Sequence, residues 1–213
     1  MRFIASTTSI PVPTVHYAFE RKGITYIVMS RIDGAQIGWN WGARTEESKR
    51  RVLEHLKAYI QEMRALSPVS SGKVEGVDGG KVYDMRISGG VRGFGPFESV
   101  GDFHSFITDD FKASPTQFPE INELLAMYGG SKYTTCFTHG DLSCANILVK
   151  GDKVVGIVDW DTSGWYPEYW EYMSAWTVNP YFMFWQDEVA KFLKEYPEAP
   201  RMKEIRQIFF GDA

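Results

Sequence analysis

The sequence predicts an α+β fold in which a short strand-rich segment is followed by a mainly helical remainder. Two runs with the composition of strands, Val15 to Ala18 and Thr25 to Met29, flank the turn Arg21-Lys22-Gly23 and indicate an antiparallel pair. A second pair is predicted around Gly151-Asp152, because Gly suits the first central position of a two-residue hairpin. Between the two hairpins, apolar residues recur at helical spacing over 45–66.

The helix predicted over 45–66 has recognisable start and stop signals. Thr45 precedes it as a capping residue, and Glu46 and Glu47 occupy the first turn, where the helix dipole favours acids. Pro68 is expected to end it. Its buried stripe is predicted to consist of Val52, Leu53, Leu56, Ile60, Met63 and Leu66.

The glycine-rich stretch 69–101 is predicted to be an irregular, mobile surface loop. The alternative is that it forms one wall of a substrate site, with Arg86 or Arg92 facing an anionic substrate. Two short helices are predicted to follow it, over 100–111 and 118–128, because their apolar residues again recur at helical spacing.

The second hairpin brings oxygen-bearing side chains together. If Lys150 pairs with Lys153, then Asn146 pairs with Ile157, and Asp159 lies two residues further on the same face. Such diagonal neighbours are roughly 7–8 Å apart, so both side chains would reach one cation. An amide and a carboxylate oxygen suit a hard ion such as Mg²⁺, with phosphate or water completing the shell.

The order of these residues resembles a known catalytic core. The run His139-Gly140-Asp141, followed by Asn146 and then by Asp159-Trp160-Asp161, resembles the aminoglycoside phosphotransferase and choline-kinase-like family. The resemblance implies a protein-kinase-like fold and an ATP- and Mg²⁺-dependent phosphotransferase that acts on a small-molecule hydroxyl.

The resemblance also implies a role for each residue of this motif. Asp141 would accept or orient the proton of the substrate hydroxyl, and His139 would orient the catalytic loop. Asn146 and Asp159 would be the Mg²⁺ ligands.

Two segments near the beginning of the sequence extend the resemblance. The run Ser9-Ile10-Pro11-Val12-Pro13 looks like a segment before the last strands of the family's N-lobe, and 25–34 looks like the strand and hinge that join the two lobes. In the family, hinge backbone groups bind adenine. The residues expected to contact the nucleotide are therefore Met29, Ser30, Ile32, Leu148 and Ile157.

In the family, a phosphate-covering loop, a Lys and a helical Glu normally come before this segment. Residues 1–8 contain no counterpart of them. We therefore expect a fungal-type member with a truncated N-lobe, in which 1–33 form the remnant of the N-lobe and the hinge. The helical C-lobe, with the catalytic loop and the metal-binding hairpin, is expected over 34–213.

The segment 162–186 is rich in aromatic residues, which are expected to pack mainly in the core, while some line a pocket. Acidic residues are outnumbered there, which favours a less polar metabolite over an aminoglycoside as substrate. Glu171 matches a structural acid of the family and is expected to be a buried hydrogen-bonding partner. The candidates for substrate contact are Asp161, Trp165 and Glu168.

Composition narrows the class of partner. The chain has 213 residues and a net charge of −4 with interspersed signs, so charge favours neither nucleic acid nor an anionic membrane. No apolar run has the length of a membrane span, and the expected compartment is the cytoplasm. Cys136 and Cys144 are interpreted as small hydrophobic residues, since Cys136, His139 and Cys144 offer too few ligands for a structural zinc site.

Three functions stay open at this point. The first is phosphorylation of a small molecule, with Mg²⁺ and ATP as cofactors. The second is a kinase fold that binds a metabolite or performs a biosynthetic reaction without ATP, and the third is a regulatory pseudokinase. In each case the expected partner is a small molecule, and a homo-oligomer would cover the exposed cleft.

Overall fold

The computed structural model describes residues 1–68, 71–87, 90–130, 133–177 and 180–211. It is an α+β fold, as predicted, and its small sheets precede and interrupt a mainly helical body. The helices are α1 (Arg2–Thr7), α2 (Glu46–Arg64), α3 (Val100–Ile107), α4 (Pro119–Gly130), α5 (Trp170–Trp176), α6 (Gln186–Phe192) and α7 (Ala199–Phe209). The strands are β1 (Val15–Arg21), β2 (Ile24–Met29), β3 (Ala35–Gln36), β4 (Thr135–Thr138), β5 (Ile147–Lys150), β6 (Lys153–Ile157) and β7 (Gly164–Pro167).

The first hairpin, β1–β2, forms where the sequence predicts it. Its turn residues Lys22 and Gly23 both have left-handed backbone angles, with φ of 55° and 72°. This is the pattern of the tight turns that match the twist of paired strands. The pair stands alone as a two-stranded sheet, and every residue from His16 to Met29 is exposed.

The second hairpin, β5–β6, belongs to a three-stranded sheet with the order β3-β5-β6. Lys150 pairs with Lys153, as predicted, but Ile157 pairs with Ile147 rather than with Asn146. The predicted register was wrong by one residue at this end because a β-bulge interrupts the ladder: Leu148 pairs with Gly156, and Val149 pairs with Val154.

Gly156 fixes how the hinge segment meets this hairpin. A Cβ atom at position 156 would lie 2.3 Å from Cδ1 of Ile32. Only glycine therefore lets the Ile32 side chain pack directly on β6. This contact places 30–34 beside the strand that leads to Asp159.

Helix α2 confirms its predicted start and its buried stripe. The Thr45 hydroxyl accepts a hydrogen bond from the Ser48 amide at 3.2 Å, as a capping residue does. The helix ends at Arg64, four residues before Pro68, and Leu66 is half-buried beyond its end. The buried residues are Val52, Leu53, Leu56, Ile60 and Met63.

The glycine-rich stretch is packed into the body, so the prediction of a surface loop was wrong for its described part, 71–87 and 90–101. Val74 and Val82 are buried, and their backbones pair with Phe97 and Phe94. Glu75 pairs in the same way with Trp165 of β7. These pairings satisfy backbone hydrogen-bonding groups and allow Val74, Val82, Ile87 and Phe94 to join the core, while Val77, Tyr83, Met85 and Val91 stay exposed.

The remaining helices enclose an aromatic core. Helix α3 ends at Ile107, earlier than predicted, because Asp109 and Asp110 adopt left-handed angles with φ of 48° and 55°. The described aromatic residues of 162–186 lie mainly in the core, as predicted; the buried ones are Trp165, Tyr166, Tyr169, Trp170, Tyr172 and Trp185. Within the ranges described above, no helix combines the length and the apolar character needed to cross a membrane.

Candidate active site

The loop between β4 and β5, residues 139–146, is the centre of the candidate site. Gly140 has φ of 83°, which favours glycine. A Cβ atom there would also lie 2.9 Å from Oγ1 of Thr162. The Thr162 hydroxyl donates a hydrogen bond to the His139 carbonyl at 2.8 Å, so the loop is held directly against the segment that follows Asp159.

His139 is fully buried and both of its ring nitrogens are engaged. Nδ1 accepts a hydrogen bond from the Asp141 amide at 3.1 Å, so the proton resides on Nε2, which donates to the Val158 carbonyl at 2.9 Å. Burial lowers the pKa of His139 to about 3. The ring is therefore neutral at physiological pH, and it positions Asp141 and Val158 rather than exchanging protons.

Glu171 of α5 holds the same loop from the other side. Its carboxylate accepts hydrogen bonds from the amides of His139 at 2.6 Å and Gly140 at 3.1 Å. Burial raises the pKa of Glu171, while the charge of Arg64 and the two amides act in the opposite direction. The prediction that Glu171 is a buried hydrogen-bonding partner is confirmed.

Arg86 is a third support of the loop. It forms a two-point ion pair with the buried Asp84, with distances of 2.8 Å and 2.7 Å, and donates a hydrogen bond to the Gly140 carbonyl. The sequence indicated Arg86 only as a residue that faces an anionic substrate. Its contact with the loop was missed because the glycine-rich stretch gives no periodic signal that would place it.

Asp141 is a half-buried carboxylate with one defined partner. Its Oδ2 accepts a hydrogen bond from Nδ2 of Asn146 at 2.7 Å, and the same amide also donates to the Asp141 carbonyl at 3.0 Å. Burial raises the pKa of Asp141, and the nearby Arg86 guanidinium opposes this rise. A carboxylate in such surroundings is a stronger base than a solvated one.

The side chains of Asn146 and Asp159 have the donor set expected of a Mg²⁺ site. Because Nδ2 of Asn146 donates to two oxygens, the amide orientation is fixed, and Oδ1 is left without a protein partner in the described part of the chain. The Asp159 carboxylate likewise makes no hydrogen bond or ion pair with any described residue. Burial and the neighbouring Asp161 raise the pKa of Asp159, as happens where carboxylates meet without a cation.

Few protein ligands converge at this position. Among the described residues, no three His, Cys, Asp or Glu side chains form a metal-binding cluster. An amide and one or two carboxylates suit Mg²⁺, which keeps several waters and takes phosphate oxygens as further ligands. Asp159 has φ of 67°, so the strand has ended before it, and its placement rests on a turn rather than on the predicted ladder.

The predicted nucleotide contacts fall into two groups. Met29 is exposed, whereas Ser30, Ile32 and Leu148 are half-buried along the hinge and β5. The Ser30 amide donates to the Thr14 carbonyl at 2.9 Å, so it is already occupied. The Ile157 side chain is fully buried in the core.

Of the predicted substrate contacts, Asp161 lies near the loop, since its charge helps to raise the pKa of Asp141, whereas Trp165 and Glu168 are engaged elsewhere. Asp161 is exposed two residues beyond Asp159. Trp165 is only 4% exposed and packs edge-on against Phe137, with ring centroids 5.2 Å apart. Glu168 accepts hydrogen bonds from the Tyr196 hydroxyl at 2.5 Å and from Lys194 at 3.0 Å, and it lines a cavity behind α5. Trp165 is thus placed as a core residue, and Glu168 as part of a second cavity.

Comparison with known protein structures identifies the fold. The crystal structure of aminoglycoside phosphotransferase APH(4)-Ia is similar in fold, with a TM-score of 0.66 at 16% identity, covering 99% of this chain and 71% of that one. The GDP complex of aminoglycoside 2'-phosphotransferase-IIIa gives a TM-score of 0.59 at 14% identity, covering 98% and 69%. The fold is therefore of the protein-kinase-like type that these enzymes share.

The sequence itself assigns the family. The profile of the phosphotransferase enzyme family matches residues 1–206, and the chain belongs to that family. An aminoglycoside 3'-phosphotransferase of Niallia circulans is 24% identical over 163 residues, which cover 73% of this chain. The match covers 53% of that relative, so the chain spans about half the length of the curated protein.

Proposed function

We propose that this chain carries the phosphoryl-transfer centre of a small-molecule kinase that uses ATP and Mg²⁺. The observation that carries the proposal is the bond between Asn146 and Asp141. It orients the amide so that Oδ1 of Asn146 is available to a metal, while it positions the carboxylate of Asp141 as a base. Asn146 thus links the proposed metal site to the residue that would contact the acceptor.

The residues of the candidate site have distinct parts in the proposed reaction. Asp141 would accept the proton of the acceptor hydroxyl as its oxygen attacks the γ-phosphorus of ATP, while the bond from that phosphorus to the bridging oxygen breaks and ADP leaves. His139, Glu171 and Arg86 hold the loop through its backbone, so that Asp141 meets the acceptor in a fixed geometry. Mg²⁺ held by Asn146 and Asp159 would neutralise charge on the phosphates.

We place the acceptor in a cavity of about 830 Å³ that Arg86 lines together with Arg201, Lys203 and Glu204. Asp141 does not line this cavity, which adjoins the loop through Arg86 and its hydrogen bond to the Gly140 carbonyl. Among the described residues that line it, Glu204 is the one acidic side chain, and Arg201 already pairs with it at 2.9 Å. An aminoglycoside is a polycation and requires several available carboxylates. The lining therefore supports an uncharged or anionic hydroxyl compound as acceptor, in agreement with the sequence-based expectation of a less polar metabolite.

The test is transfer of radiolabelled γ-phosphate from ATP to a panel of cationic, neutral and anionic hydroxyl metabolites. The Asp141→Asn variant should lose about 10²–10⁴-fold of the turnover, the usual contribution of a positioned general base, while it stays folded and binds nucleotide. Asp187→Asn, a matched change at an exposed carboxylate of α6, should retain full activity.

Equal turnover of the Asp141→Asn variant and the unchanged protein would remove Asp141 from the mechanism. Binding of a metabolite without any phosphoryl transfer would instead favour a binding protein or a pseudokinase. Sedimentation of the same sample would test whether two copies associate over the cleft.

A further inference from the structure

A second cavity lies behind the catalytic loop and takes no part in the proposed reaction. It has a volume of about 440 Å³ and is enclosed by α2, α5, the end of α6 and the segment that precedes α7. Ile60, Phe192 and Leu193 form an apolar wall of the cavity, and all three are otherwise packed in the core. Its size falls within the range of pockets that bind small organic molecules.

The polar part of the lining carries an excess of positive charge. Lys57, Arg64 and Lys194 face two carboxylates, those of Glu168 and Glu171. Both carboxylates are already engaged, Glu168 by Lys194 and Tyr196 and Glu171 by two backbone amides. Within the described ranges Lys57 forms no ion pair, so it has capacity for an anion. The hydrogen bonds of Arg64 go to uncharged oxygens, and its charge also acts on the Glu171 carboxylate.

We propose that this cavity is a binding site for a small organic anion. Its carboxylate or phosphate group would lie between Lys57 and Arg64, and its apolar body would pack against Ile60, Phe192 and Leu193. The guanidinium of Arg64 has the planar donor geometry that either anionic group accepts, and its two terminal nitrogens would exchange bonds to Phe137, Thr138 and Glu168 for bonds to the anion.

Two residues of the lining connect the cavity to the catalytic loop. Arg64 donates hydrogen bonds to the Thr138 hydroxyl at 3.1 Å and to the Phe137 carbonyl at 3.5 Å, immediately before the loop. Glu171 accepts hydrogen bonds from the amides of His139 and Gly140, within the loop itself. An anion beside Arg64 competes for the same donor groups, so its binding alters the support of Asp141. This regulatory consequence rests on the proposed function, whereas the binding itself does not.

Cys136 provides a direct readout because it also lines the cavity and is partly accessible. The other thiol, Cys144, is buried, and burial raises its pKa to about 11, which makes it a poor nucleophile. Alkylation by iodoacetamide, followed by mass spectrometry of the intact chain, therefore reports on Cys136. The probes are phenyl phosphate and benzoate, with benzyl alcohol as the uncharged control.

At a probe concentration about ten times its dissociation constant, alkylation of Cys136 should slow roughly tenfold with either anion. Benzyl alcohol should give no protection. Protection should be lost in Lys57→Met and kept in Lys112→Met, since both lysines are exposed but only Lys57 lines the cavity. Unchanged alkylation with both anions, or equal protection by benzyl alcohol, would overturn the proposal.

Thermal unfolding gives a second measurement that does not need the thiol. Phenyl phosphate should raise the Tm of the unchanged chain and of Lys112→Met, but not that of Lys57→Met. An equal shift in all three would place the anion elsewhere. If no phosphoryl transfer is found but these shifts appear, the site stands and only the proposed reaction fails.

Discussion

The two β-hairpins of this protein share local sequence signals but differ in burial and in their position relative to the candidate site. The first, β1–β2, is exposed along both strands, and its large side chains include Tyr17 at 69% exposure. The second, β5–β6, is partly buried, and its two strands lie next to Asn146 and Asp159 in the sequence. A turn and a β-rich composition therefore specify a hairpin, while packing decides whether it can hold a functional site.

The largest effect should come from removing a buried side chain of the second hairpin. Ile147 of β5 is fully buried, whereas Ile27 of β2 is 45% exposed. Ile147→Ala should lower the free energy of unfolding by about 2–5 kcal/mol, because it leaves a cavity in the core. Ile27→Ala should cost only about 0.5 kcal/mol, as exposed substitutions usually do. Urea titration of both variants measures the difference, and equal losses would contradict the contrast between the hairpins.

Two ion pairs, one beside the catalytic loop and one at the surface of the second hairpin, should show the same dependence on burial. Arg86 pairs with Asp84, which is 1% exposed, whereas Lys150 pairs with Asp33 at the surface. Arg86→Met leaves a buried carboxylate uncompensated and should cost about 3 kcal/mol, the lower end for broken buried pairs because Arg86 is partly exposed. Lys150→Met should leave the unfolding free energy unchanged within error. Comparable losses in both would show that Arg86 does not anchor the loop.

A smaller effect should appear in the pH dependence of stability. Burial lowers the pKa of His139 to about 3 from an unfolded value near 6.5, so the unfolded chain binds the proton more readily. The contribution to stability is complete above pH 6.5 and is lost as the pH falls toward 3, with about 2 kcal/mol gone by pH 5. Replacing the ring in His139→Gln should flatten this part of the profile. An unchanged slope between pH 7 and pH 5 would contradict the assignment.

Much of the architecture could be predicted because its signals are local. The turn at Lys22-Gly23, the cap at Thr45 and the buried stripe of α2 each depend on neighbouring residues, and each prediction is confirmed. The order of His139, Asp141, Asn146 and Asp159 likewise identified the family.

The parts that could not be predicted depend on contacts between distant segments. The bulge in β5–β6 moves the register by one residue, and alternation alone cannot locate it. Arg86 reaches Gly140 across 54 positions of the chain. Trp165 and Glu168 have side chains of the kind that contact substrates. The pairing of β7 with β4 places Trp165 in the core, and hydrogen bonds from Lys194 and Tyr196 hold Glu168 at the second cavity.

The central claim is that Asn146 and Asp159 together hold the metal of a bound nucleotide. Calorimetric titration of ATP into the full chain, with and without Mg²⁺, tests it directly. We expect binding that requires Mg²⁺ in the unchanged protein and that disappears in Asp159→Ala, while Asp187→Ala binds normally. Mg²⁺-dependent binding of equal affinity in Asp159→Ala and the unchanged protein would contradict the claim.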